Sequence, residues 1–185
     1  MKPFLLAAAL AALPLSAHAD EVTDTLKSAI DAYEAGDLQY ALEEIAFAQQ
    51  LMQAMKAEGL VAFLPAAPEG WTREVDTEMN AGMAMLGGGT GAEAEYSNGD
   101  VSFTITLMAD NPMVAAMAGM FANPMIMAAS GKITRVGRQK FIDQDGELTG
   151  LIDGRVLVQA SGADVEVMVP VLEAIDFEGL GKFGL

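Results

Sequence analysis

The sequence has no cysteine and a single histidine, His18. Without thiols there can be no disulfide, no thiolate nucleophile and no cysteine-based metal site. His18 lies in an N-terminal stretch that is expected to be removed, which leaves the rest of the chain without an imidazole for acid–base or metal chemistry. Basic residues are also few: 10 Lys and Arg stand against 26 Asp and Glu, a formal net charge of −16. A field of that sign repels nucleic acid and anionic membrane surfaces, so neither is expected as a partner. Beyond the N-terminal stretch no apolar run is long enough to suggest a transmembrane helix.

The N-terminal stretch itself reads as an export signal. Lys2 supplies a positive start, residues 4–15 form an apolar run, and Ala17-x-Ala19 places small residues where a signal peptidase reads. The expectation is a signal peptide over 1–19, cleavage before Asp20, and a soluble periplasmic or secreted protein with no transmembrane anchor. The run is too short to remain as one. With no cysteine to staple it, the exported domain has to rely on its apolar core, and the hydrophobic content of 52% is compatible with that.

The remaining chain divides into a helical hairpin over 20–63, a linker over 64–70 and an α+β domain over 71–185. Val22, Leu26, Ile30 and Tyr33 recur at helical spacing, as do Leu38, Ala41, Leu42, Ile45, Ala48, Met52 and Met55. Gly36-Asp37 separates the two runs, and so short a break predicts an antiparallel pair. After the Pro-rich linker, residues 71–75 and 93–96 read as strands. The alternation of Val101, Phe103, Ile105 and Leu107 with polar residues is the clearest strand signal, and Asn98-Gly99 before it is a hairpin turn signal. Asn111-Pro112 starts a helix to about Ala122, which stops at Asn123-Pro124. Residues 132–142, 147–152 and 155–160 read as three strands joined at Asp145-Gly146 and Asp153-Gly154. Residues 163–175 close the chain as an amphipathic helix with Pro170 inside it. The predicted fold class is therefore α+β: a helical hairpin, then an antiparallel sheet of five or six strands with an inserted helix and a C-terminal helix.

Three resemblances follow from these residues. Ala32-Tyr33-x-x-Gly36-Asp37-x-x-x-Ala41 with Ala48 resembles the central part of one tetratricopeptide repeat. A single copy does not make a peptide-binding solenoid. The Pro-x-Gly-Trp entry, the sheet and the closing helix resemble small secreted domains of the PsbP/Mog1 type. The whole chain resembles uncharacterised exported proteobacterial proteins, which implies no activity and no site residues.

Methionine is the compositional outlier, with 13 in the chain. One group is Met79, Met83 and Met85; the other is Met113, Met117, Met120, Met125 and Met127. Residues 111–131 contain no charged side chain. A helix apolar on every side is buried or meets something apolar. Methionine suits both roles, since it fills irregular cores and makes adaptable binding surfaces. The expected site is an apolar surface formed by Met113, Met117, Met120, Phe121 and Met125, taking a protein partner or a lipid-like ligand. The alternative is a Cu(I) site in which Met83, Met85, Met125 and Met127 supply thioether sulfur.

Other motifs carry less. The run from Gly87 to Gly91 lacks the strand, helix and Lys-Ser/Thr of a phosphate loop and reads as a flexible turn. Asp143-x-Asp145-Gly146-Glu147 has too few ligands for a calcium loop. Lys132, Arg135, Arg138 and Lys140 are expected to neutralise neighbouring carboxylates. No acid–base pair stands out among the carboxylates, so a non-enzymatic role without a cofactor is expected.

Overall fold

The computed structural model describes residues 16–76, 79 and 88–185. The chain forms two compact units, Met1–Met55 and Lys56–Leu185, and the division falls inside the second helix.

In the first unit, α1 (Ser16–Glu34) and the larger part of α2 (Leu38–Val61) form the expected hairpin. Gly36 closes α1 in the left-handed region at φ 83, with Asp37 N–H donating to the Ala32 carbonyl. Asp37 then caps α2 by accepting from Tyr40 N–H at 3.1 Å. The buried positions carry small side chains: Thr25, Ala29 and Ala32 on α1, Ala41 and Ala48 on α2. Thr25 Oγ1 is satisfied within its own helix by the Glu21 carbonyl.

The second unit is built on one antiparallel sheet. Its strands are β1 (Thr72–Asp76), β2 (Thr90–Ser97), β3 (Ser102–Ala109), β4 (Lys132–Val136), β5 (Gln139–Gln144), β6 (Glu147–Ile152) and β7 (Val156–Ser161). The spatial order is β1-β2-β3-β7-β6-β5-β4. Two meanders, β1–β3 and β4–β7, thus meet where β3 pairs with β7. The chain leaves β3 near the middle of the sheet and returns at the far edge, β4. The connection is α3 (Pro112–Ala122) followed by α4 (Pro124–Ser130), at 105° to each other.

One sheet face carries the core. Leu107, Val158, Gly150 and Phe141 align across β3, β7, β6 and β5. Leu60, Leu64, Met168, Leu172, Ile175 and Leu180 bury against that face. Met168 and Leu172 come from α5 (Val165–Leu172), and Leu180 from α6 (Phe177–Gly181). Tyr96 and Phe103 are cross-strand partners with stacked rings 5.1 Å apart, and Trp71 meets Phe103 edge-on. Burial pushes the Tyr96 phenol up to about 12, against a smaller opposing effect of Arg73. Its hydroxyl donates to the Pro65 carbonyl at 2.7 Å.

Several local readings change. Among the described residues the sheet has seven strands rather than five or six, because residues 132–142 fold into a hairpin at Gly137-Arg138. Gly137 has φ 57, and Val136 pairs with Gln139. Asn98-Gly99 is not a two-residue turn: β2 and β3 are joined by residues 98–101, and Asn98 Oδ1 accepts from Asp100 and Val101 N–H. Asp145-Gly146 is the expected two-residue turn, with both φ values positive. The run at Gly87–Gly91 is in part a strand start, since Thr90 and Gly91 belong to β2, while Gly87 lies outside the described residues. The closing helix over 163–175 is shorter, ending at Leu172, and α6 follows it.

Candidate functional site

The uncharged segment folds because the same capping device occurs twice. Asn111 Oδ1 accepts from Met113 N–H at 2.8 Å, and Pro112 takes the first helical position, where no N–H is needed. Asn123 Oδ1 accepts from Met125 N–H at 3.0 Å, and Pro124 starts α4 in the same way. Asn123-Pro124 therefore ends one helix and begins the next, where the sequence reading had only a stop. The buried Asn111 also donates through Nδ2 to the Gly88 carbonyl at 2.6 Å, fixing the start of α3.

Asp110, just before that cap, accepts from Lys56 at 2.5 Å and from Arg155 at 3.4 Å. The Lys56 hydrogen bond is the main reason its carboxyl is held below the ordinary value; burial opposes it, and the charges of Lys56 and Arg155 add to the lowering.

The helical pair is more open than closed. Val114 is the only buried residue of α3 and Met127 the only one of α4. Met113 is 58% exposed, Met125 83%, and Ile126 is exposed as well. Met117, Met120 and Phe121 are half-buried. Of the expected surface residues, Met113 and Met125 thus lie open and the other three lie partly open. No single described helix is long and apolar enough to cross a membrane.

Between this pair and the sheet is a cleft of about 740 Å³. Met117, Met120 and Ala129 line it from the helices. Ile142, Gln144, Glu147, Thr149 and Gln159 line it from the sheet. Ile142, Thr149 and Gln159 are register partners across β5, β6 and β7. Glu147 Oε1 accepts from Gln159 Nε2 at 3.1 Å and from Thr149 Oγ1 at 3.4 Å, which holds this polar floor together. The site is therefore amphipathic: thioethers on one side, amides, a hydroxyl and a carboxylate on the other. Sequence reasoning found the methionines but not the polar floor, whose residues are brought together only by strand register.

The thioethers of the copper alternative do not gather on the described residues. Met125 and Met127 are two apart on α4 and point about 200° from one another; one is 83% exposed and the other 6%. Met83 and Met85 lie outside the described residues. Met79 is half-buried, and its thioether fills the space that a side chain on Gly91 would take. At the other motifs, Asp143 accepts from Gly146 N–H at 3.3 Å and lies 3.9 Å from Lys132, while Arg135 and Lys140 are cross-strand neighbours. Comparison with protein-family models, with curated proteins and with solved structures finds no match for this chain.

Proposed function

We propose that this is an exported, non-enzymatic binding protein whose uncharged Met-rich segment receives a protein partner or an apolar ligand. The observation that carries this reading is the exposure of a charge-free helical pair on an otherwise acidic chain. Exposed apolar surface that spans contiguous helices marks interaction sites in folded proteins. Methionine suits such a surface because its side chain re-packs around differing shapes. The cleft beneath α3 supports an amphipathic occupant, with its apolar body against Met117 and Met120 and its polar end toward Gln159 and Thr149.

A titration with the neutral apolar dye Nile red tests the proposal. The purified protein should bind the dye with a blue-shifted emission. Replacing Met117 and Phe121 together by Ser should abolish that binding and leave the circular dichroism spectrum intact. Global loss of folding in the double variant would assign the two residues to ordinary core and overturn the proposal. Unchanged dye binding in a folded variant would also overturn it. Cu(I) is a second occupant to test, at Met117 and Met120 rather than at Met83, Met85, Met125 and Met127, because these two thioethers share one wall of the cleft. Met117→Leu with Met120→Leu keeps the volume and removes the sulfur, so dye binding should persist. Stoichiometric Cu(I) binding by the parent, lost in the Leu variant, would favour copper instead.

A further inference from the structure

The helical hairpin leaves its large side chains outside. On α1, Leu26, Ile30 and Tyr33 are exposed; on α2, so are Leu38, Leu42, Ile45 and Met52, each of the seven between 39% and 66%, and Tyr40, Phe47 and Met55 are exposed as well. The buried positions hold Ala and Thr instead. This reverses the usual arrangement, in which large apolar residues fill the contact and small or polar ones face water.

Tyr40 and Phe47 lie on the other side of α2, while the first seven are ordered. Their spacing is 4-3 on α1 and, with Gln49 included, 4-3-4-3 on α2, which is the heptad seam of a helical bundle. On α1, Leu26, Ile30 and Tyr33 each follow a buried residue by one position, and on α2 Leu42 follows Ala41. In two antiparallel helices a rotation of 100° per residue brings both seams to the same side. The seven thus form an apolar face shared by both helices. We propose that a second copy of this chain covers it, forming a two-fold symmetric four-helix bundle from two hairpins.

Area and charge select that partner. From their fractional exposure, the seven side chains leave on the order of 800 Å² uncovered, the share that one partner contributes to a standard-size interface. No side chain charged at neutral pH occupies these seam positions, whereas Asp24, Asp31 and Glu43 project from the opposite side of their helices. Two copies of so acidic a chain repel one another across most surfaces, and this charge-free face lets them meet without that penalty. Gln49 places one polar residue inside the seam, the device that fixes register in helical bundles.

Sedimentation velocity on the purified chain at micromolar concentration tests the proposal. The parent should sediment as a dimer. Leu42→Glu and, separately, Tyr33→Glu should each give a monomer with unchanged helical circular dichroism, since both positions are exposed. Met125→Glu, on α4, should remain dimeric. A monomeric parent overturns the proposal, and so does a dimer that survives both hairpin variants. A dimer dissolved by Met125→Glu alone would place the contact on the Met-rich segment and overturn it equally.

Discussion

At the scale of single residues, two titrating groups test how the second unit is held. Asp110 has its carboxyl lowered chiefly by the Lys56 hydrogen bond, so the folded state binds its proton less readily than the unfolded chain does. Its contribution is complete above the unfolded value and is lost as pH falls through the folded one. The pair is more than a third exposed, so Asp110→Asn should cost no more than about 1 kcal/mol at neutral pH. In urea unfolding that gap should narrow as pH falls below the ordinary carboxylate range and through the lowered folded value, where the Asp110 carboxyl takes up its proton. Tyr96 has the opposite sign. Its raised value favours the protonated phenol in the fold, so its contribution is present below pH 10 and lost as pH rises toward about 12. Tyr96→Phe should cost about 1 kcal/mol at neutral pH through the lost bond to Pro65. It should also flatten the alkaline decline in stability across that window. The caps at Asn111 and the turn at Asp145-Gly146 were legible, because each is a local contest between a side chain and its own backbone. Asp110 with Lys56, or Gln159 with Glu147, could not be read, because those contacts join positions far apart in the chain.

At the scale of elements, the strands with strict alternation were legible, and the breaks inside apolar runs were less so. Gly137-Arg138 gave only a change of parity in a basic stretch, yet it makes the hairpin that adds the seventh strand. Asn123-Pro124 carried the same two signals as Asn111-Pro112, and nothing local states whether a chain stopped by proline resumes as a helix. Gly150 also has an elemental role. It lies opposite Phe141, and a Cβ there would come within 2.6 Å of the ring. Gly150→Ala should therefore cost about 1–3 kcal/mol by overpacking, read as a lower urea midpoint. Phe141→Leu in the same chain should recover part of that loss; a Gly150→Ala variant as stable as its parent would remove the close approach as the reason for this glycine.

At the scale of the whole molecule, composition and pattern gave the α+β class and the order of a hairpin before a sheet. They did not say which helical faces lie open, because an apolar stripe looks the same in sequence whether a sheet covers it or water does. The topology supplies that distinction for residues 111–131. They cross between two meanders on the sheet face opposite the core, and that face sets Gln159, Thr149 and Glu147 beside the buried Ile142 and Leu157. The segment is thereby held at its caps and left open along much of its length. Methionine oxidation tests this directly. On brief treatment of the native protein with dilute peroxide, followed by peptide mass spectrometry, exposed thioethers oxidise first. Met113 and Met125 should be converted well before Met127 and the fully buried Met168. Equally slow conversion of all four would place the uncharged segment in the core and contradict a binding surface there.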